Sequence, residues 1–400
     1  MKPTAFVKWL LCGAVLLLGA GPAVRHSHYL FVWAMESRGP DPVTPFQHGS
    51  GKDFIAVFDV TSDAAPFAKL VAMLPVGNGA KMAHHTNYAM PSNDVLYAND
   101  WLADRTYVFD LHDAQHPRLI RQFGNAGPYM YPHSFDYLPN GDTLATFQYT
   151  RGYNRAPGGL VEFDAHGRVV KMSSAANARV DPNIRPYSLA VVASLNRVVS
   201  SSADMMGAQT SHVVQIWRLS DLKLLETIAL PKSQWYEDSA ADSSEPRVLS
   251  NGKTVVVSTF NCGLYVVRNL GSDSPTLQHA YDFGYRSCAV PVVVGNYLVE
   301  AMQSGHAVVS LDVSDPAHPH EAGYIELGPK DAPHWIAVEP SGDRIVITGY
   351  DSLQTHVRFA TIDRTTGRLT LLPQSIDFTR AWPDGWNGRA IPHGAVFSND

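Results

Sequence analysis

His85-Thr-Asn-Tyr-Ala-Met-Pro91-Ser-Asn-Asp94, His133-Ser-Phe-Asp-Tyr-Leu-Pro139-Asn-Gly-Asp142 and His334-Trp-Ile-Ala-Val-Glu-Pro340-Ser-Gly-Asp343 are three copies of one unit. In each, a histidine opens a short strand and a Pro-(Ser/Asn)-(Gly/Asn)-Asp turn follows. Proline presets the φ of such a turn, and Gly or Asn tolerates positive φ. An apolar strand then begins, as in Val95-Leu-Tyr-Ala98. Weaker copies fill the gaps: Pro186-Tyr-Ser-Leu-Ala-Val-Val192, with Tyr187 at the histidine position, Glu245-Pro-Arg-Val-Leu-Ser-Asn-Gly252, and Cys288-Ala-Val-Pro-Val-Val-Val-Gly295. Each unit closes on a strand ending in Asp, such as Tyr107-Val-Phe-Asp110 or Phe359-Ala-Thr-Ile-Asp363.

The units recur every roughly 45 to 60 residues, the size of a four-stranded propeller blade. Six starts are counted, preceded by a piece from Tyr29 to Val76 with about three strands and no inner strand of its own. The last strand, from His393, supplies the missing one. The sequence therefore predicts an all-β, seven-bladed β-propeller closed by pairing of its N- and C-terminal strands, which removes free sheet edges.

The 400 residues suffice for one such ring without stabilisation by metals or disulfides. With 31 basic and 37 acidic residues, a net charge of -6 and no basic stripe, nucleic acid is not an expected partner. Residues 1–23 read as a signal peptide: Lys2 and Lys8 precede a short apolar run from Trp9 to Leu18, and small residues follow at Ala20 and Ala23. An uncleaved anchor is the alternative. Residues 24–400 are then one propeller domain, periplasmic or secreted, with no stable membrane insertion after the signal is removed. Cys12 lies in the leader without a lipobox. Cys262 and Cys288 remain as either a disulfide or two buried thiols.

Inner strands run along the central axis of a propeller, so equivalent starts form a ring at one mouth of the channel. His85, His133, His334 and His393 occupy such starts, and His84 adjoins His85. Imidazole suits copper, iron and zinc. The five histidines are accordingly the candidate metal ligands, for a transition metal with copper first and iron or zinc as alternatives. A blander reading makes them structural residues that cap each strand against the next blade. Tyr187, Arg247 and Glu245 are the polar candidates at the remaining ring positions. Tyr187 and Glu245 are taken as catalytic, Glu245 as a general base or a partner for a ligand imidazole, with a Glu245–Arg247 salt bridge as the structural alternative. His112, His116, His318 and His320 flank loop prolines and read as surface residues.

His84-His85 opening a strand, Pro132-His133-Ser134 about one blade later, Pro392-His393 near the C-terminus and the opening stretch Asp53 to Val60 together resemble the selenium-binding protein and methanethiol oxidase family. The resemblance implies a seven-bladed propeller, copper-dependent oxidation of a small thiol by oxygen, and these histidines as ligands. The chain departs from the family after the double histidine, where Thr86-Asn-Tyr-Ala-Met-Pro91 replaces its Trp and paired cysteines. Leu311-Asp-Val-Ser-Asp-Pro-Ala-His-Pro319 equally resembles repeats found in exported propellers of unknown role. The expected function is thus an exported metal-dependent oxidoreductase acting on a small molecule, with a non-catalytic binding or scaffold propeller as the alternative. A lactonase-like hydrolase ranks last, because such enzymes favour carboxylate and Asn ligands for a hard metal.

Overall fold

A computed structural model describes residues 28–37, 51–61, 67–77, 82–205, 211–231, 242–349, 356–379, 381–382 and 385–399. The expected leader, residues 1–23, lies outside them. The described residues form seven antiparallel sheets of four strands each. Blade 1 contains β28 (Arg389–Phe397), β1 (Tyr29–Ser37), β2 (Asp53–Asp59) and β3 (Lys69–Val76), in that order from the axis outward. The C-terminal strand is therefore the innermost strand of the N-terminal blade, as the missing inner strand required. Leu30, Phe31 and Val32 pair with Phe397, Val396 and Ala395.

The other inner strands are β4 (Ala83–Thr86), β8 (Tyr129–Tyr137), β12 (Pro186–Val192), β16 (Ser243–Val248), β20 (Val292–Val294) and β24 (Trp335–Val338). Their second strands are β5 (Val95–Asp100), β9 (Thr143–Thr150), β13 (Arg197–Ser202), β17 (Val255–Thr259), β21 (Tyr297–Met302) and β25 (Arg344–Thr348). Neighbouring inner strands touch around the whole ring. Apolar residues from facing blades fill the space between them, as where Trp33 meets Tyr107 and Phe109.

One irregularity recurs in the inner strands. His84-His85 stands opposite Asn99 alone, His133-Ser134 opposite Thr146, Tyr187-Ser188 opposite Ser201, Ser244-Glu245 opposite Ser258, and His393-Gly394 opposite Trp33. Val290-Pro291 faces Glu300 in the same way, between the Ala289–Ala301 hydrogen bond and the Val292–Val299 pair. These are two-against-one β-bulges, which leave a backbone N–H outside the ladder and re-aim the side chains. The opposing side chain accepts that N–H in three blades: His85 N to Asn99 (2.7 Å), Ser134 N to Thr146 (3.0 Å) and Ser188 N to Ser201 (2.9 Å).

The same second-strand residues bind the next blade. Trp33 Nε1 donates to Asn99 O (2.8 Å), Asn99 Nδ2 to Pro132 O (2.6 Å), Thr146 Oγ1 to Tyr187 O (2.8 Å), Ser201 to Ser244 O, and Ser258 Oγ to Glu300 Oε2 (2.6 Å). Thr348 Oγ1 donates to His393 O, from blade 7 to blade 1, and between blades 6 and 7 the bond is a backbone one, Val290 N to His334 O (2.8 Å). Each buried bond contributes about 1 kcal/mol net.

Cys262 and Cys288 form a disulfide, which decides between the two readings of that pair. It ties the turn after β17 to the entry of blade 6. Among the described residues no helix is long and apolar enough to cross a membrane.

A buried acid pair joins blades 1 and 2. Asp53 is enclosed, and burial, then the Asp100 carboxylate, raise its pKa well above the ordinary value. Asp100 already accepts the Met82 and Ala103 N–H groups. With the folded pKa above the unfolded one (about 3.9), no stability is lost below that lower value. The cost grows as pH rises toward the folded pKa. Asp53→Asn offers Asp100 an amide N–H at any pH, with no carboxyl group that must first take up a proton. It is expected to raise the unfolding free energy by about 1–3 kcal/mol near pH 7 and by much less near pH 4. Denaturant titrations at the two pH values check this; equal effects at both would contradict it.

Candidate metal centre

The bulges gather His84, His85, His133 and His393, and His334 joins them from just ahead of β24. His84, His85, His334 and His393 each present a ring nitrogen, and these nitrogens all lie within 4.8 Å of one another. His133 stands beside this set, with its Nε2 3.0 Å from His84 Nε2. All five residues predicted as ligands are therefore in one cluster.

Two details differ from the sequence reading. His133 and His393 lie in mid-strand, at the bulges of β8 and β28, and His84 and His85 lie inside β4. Only His334 directly precedes its strand. For that reason the cluster is not at an open mouth: the five residues are 0–5% exposed, enclosed within the channel. His112, His116 and His318 are exposed, as expected.

Burial makes every member neutral at pH 7. His133 and His334 are pushed down to about 3 by burial first. His84, His85 and His393 fall well below the usual imidazole value through burial and then the neighbouring histidines. Neutral imidazole is the form that binds metal.

The hydrogen bonds assign tautomers. His133 Nδ1 lies 2.7 Å from Tyr187 O, which only accepts, so that nitrogen carries the hydrogen. His133 Nε2 is then a lone pair and accepts from His84 Nε2–H, which makes His84 Nδ1 the basic nitrogen. His85 Nδ1 faces Ser134 Oγ at 3.0 Å, while its buried Nε2 makes no hydrogen bond to any described residue. A polar nitrogen buried without a partner costs about 1–3 kcal/mol. A metal ion bound there would remove that cost. Four neutral imidazoles with converging nitrogens are a donor set that suits copper, zinc or iron.

Tyr187 contributes its carbonyl to His133, and its ring packs on that imidazole at 3.8 Å between centroids. Glu245 is buried one bulge further on, at the bulge of β16. Its Oε2 accepts from Arg247 Nη1 (2.9 Å), Ser188 Oγ (2.6 Å) and Tyr88 OH (2.9 Å). The ion pair with Arg247 is thus present, within a larger network. Burial raises the Glu245 pKa, while Arg247, Ser188 and Tyr88 pull it partly back.

Sequence reasoning missed Tyr88, Ser134 and Ser188. The Tyr88 ring lies between Trp335 (5.3 Å, stacked) and the Arg247 guanidinium (3.8 Å). Trp335 in turn meets His85 edge-on at 5.1 Å. Tyr88 also lines a cavity of about 250 Å³ with Val293, Ala337 and Phe397. The signal available was Tyr88's place three residues after His85 in the first repeat copy. Elsewhere Trp386 packs against Phe54 and Phe378, and Trp101 against Tyr131.

No family model matches the chain, and no curated protein matches it. Solved structures do. A protein of Sulfolobus tokodaii, a hypothetical selenium-binding protein, superposes with a TM-score of 0.71 at 14% identity, over 93% of this chain and 94% of that one. The periplasmic gluconolactonase of Pseudomonas aeruginosa gives 0.64 at 12% identity, over 92% and 99%. A putative 6-phosphogluconolactonase of Bacteroides fragilis gives 0.65 at 10% identity, over 95% and 100%. The chain is thus a seven-bladed β-propeller with a distant structural relative of the selenium-binding-protein fold, carrying a buried histidine cluster able to coordinate a metal.

Proposed function

We propose that this chain is an exported, metal-dependent oxidoreductase that acts on a small substrate, with copper as the first candidate metal. The observation that carries the reading is the buried set of four converging neutral imidazoles. His84, His85, His334 and His393 would hold the ion, and His133 would fix the His84 tautomer through its own bond to the Tyr187 carbonyl. Copper so held supplies one-electron redox chemistry. The protein's part is to keep the ring nitrogens oriented and water excluded. The Cys262–Cys288 disulfide fits an oxidising compartment, in line with the leader-like residues 1–23. The resemblance around the double histidine supports a small thiol as the first substrate class to try.

Enclosure of the cluster favours a second reading, a propeller that binds a metal without turning over substrate. The lactonases among the similar structures share the fold at 10–12% identity, and a buried all-imidazole set does not match a carboxylate–Asn site. Oxygen consumption separates the first two readings. Copper-loaded protein with a small alkyl thiol is expected to consume oxygen, and His393→Ala to abolish this. A loaded, folded protein without turnover on a panel of small thiols would remove the thiol-oxidase reading and leave the binding propeller.

A further inference from the structure

One side chain crosses the central channel beside the histidine cluster. Tyr88 stands in the bend after β4, in blade 2. Its hydroxyl donates to Glu245 Oε2 of blade 5 at 2.9 Å and lies 2.6 Å from Ser188 Oγ of blade 4. Its ring stacks on Trp335 of blade 7 at 5.3 Å, with the Arg247 guanidinium 3.8 Å from the ring centre. A residue of one blade that reaches the inner strands of three others spans the channel. On one side of this bar is the cluster, where His85 meets Trp335 edge-on at 5.1 Å and Tyr88 at 6.3 Å. On the other is the cavity of about 250 Å³ that Tyr88 lines. That cavity lies where the inner strands finish: Val294, Val338 and Phe397 are the last residues of β20, β24 and β28. Ala89, Pro340 and Asn399 at its rim are exposed, so it opens to solvent.

We propose that this cavity is the entrance site for a small, uncharged, largely apolar molecule on its way to the histidine cluster, and that Tyr88 is the bar it must displace. The wall of the cavity carries the ligand class. Met90, Val293, Ala337, Val396 and Phe397 stand beside the Tyr88 ring. The polar side chains of the lining are bonded to the protein: Glu339 pairs with Arg344 (2.8 Å), Asn399 Nδ2 donates to Pro91 O (2.9 Å) and Arg364 Nη1 to Ser341 O (3.3 Å). Such a wall favours an alkyl or aryl group over an ion, which would lose its hydration there without replacement. The volume is below the roughly 300–1,000 Å³ of sites for drug-sized ligands and above the roughly 150 Å³ that holds benzene or xenon. The contacts carry the role of the bar. Trp335 is a fixed wall, its Nε1 held by Ala395 O (2.9 Å), and Arg247 is anchored by Pro291 O (2.8 Å) and Pro246 O (2.7 Å). Tyr88 belongs to a bend and is held across the channel by its hydroxyl bonds and ring faces, contacts that a local opening can release. The entrance rests on the reading of the cluster as a reaction centre for its purpose, but its existence can be tested without metal.

The test uses the metal-free full-length protein and diethyl pyrocarbonate, a small uncharged reagent that acylates neutral imidazole, with tandem mass spectrometry to place each adduct. In the wild type the exposed His112 and His318 are expected to react fast and the buried histidines slowly. Tyr88→Ala is expected to speed acylation within the cluster, first at the His84–His85 pair, by about 10-fold or more relative to His112. Tyr88→Phe keeps the ring but loses the bonds to Glu245 and Ser188, and its rate is expected to fall between the two. Ala337→Phe fills the cavity, and adding it to Tyr88→Ala should return the rate toward that of the wild type. Crystals of the wild type under xenon pressure should hold the gas between Val293, Ala337 and Phe397. No acceleration in the folded Tyr88 variants, an acceleration that Ala337→Phe does not reverse, or a cavity that takes no xenon would each overturn the proposal. Zinc titration of the wild type reads the metal centre separately. Acylation that depends on Tyr88 and on the cavity, in a protein that binds no zinc, would uphold the entrance and defeat the metal reading.

Discussion

His85→Ala and His393→Ala are each expected to weaken zinc or copper binding by at least about 100-fold, more than the loss typical of an outer partner. His133→Ala is expected to cost about 10- to 100-fold. The difference follows from geometry. His85 and His393 contribute nitrogens to the four-imidazole set, whereas His133 Nε2 sits 3.0 Å from His84 and bonds it. Loss of His133 frees the His84 tautomer without deleting one of the four. Isothermal titration of the three variants, with circular dichroism to confirm that each is folded, reads the order. Equal effects would make His133 a ligand of the same rank. No effect in any of them would mean that metal binds elsewhere.

Arg344→Ala is expected to destabilise the protein by about 3–5 kcal/mol, the cost of leaving a buried charge without its partner. Arg344 and Glu339 are both enclosed and form an ion pair at 2.8 Å. The other guanidinium arm donates to Val60 O at 2.8 Å, linking blade 7 to blade 1 at the seam where the ring closes. Its cation also lies over the Phe397 ring of the closing strand at 5.4 Å. Replacing both charges, as in Arg344→Met with Glu339→Leu, should recover much of the loss, because the desolvation of both groups disappears together. Denaturant unfolding measures both. A single-variant loss under about 1 kcal/mol would show that the pair contributes no more than a surface pair does.

Much of the ring was legible because a propeller repeats its punctuation. The Pro-Ser-Asn-Asp, Pro-Asn-Gly-Asp and Pro-Ser-Gly-Asp turns set the period. The lack of an inner strand before Tyr29 required the C-terminal one, which β28 supplies. The histidine cluster was legible as histidines recurring near the inner-strand starts, but its register was not: the bulges put His84, rather than His85, level with His133 and His393, while His85 is level with Ser134. The bulges themselves were not legible, because a two-against-one pairing is a matter of register, and register is set by partners distant in sequence. Asn99, Thr146, Ser201 and Ser258 were the traces they left: buried polar residues in the second strands, each with other polar residues nearby in its strand. Read alone, each looks like an ordinary break in alternation. Read as a column, they mark the belt that carries hydrogen bonds from blade to blade. Tyr88 escaped notice because the repeat drew attention to strand starts, while its contacts, Ser188 and Glu245, come from blades 4 and 5.

The account turns on whether a metal ion sits among the four imidazoles. Anomalous X-ray diffraction from crystals of protein loaded with copper or zinc, recorded on both sides of the metal edge, locates it directly. The predicted result is one strong peak enclosed by His84, His85, His334 and His393, about 2.0–2.1 Å from each ligating nitrogen in a zinc complex. A loaded crystal with no peak there, or with its only peaks on surface residues such as His112 or His318, would contradict the claim and leave the buried histidines as structural parts of the ring.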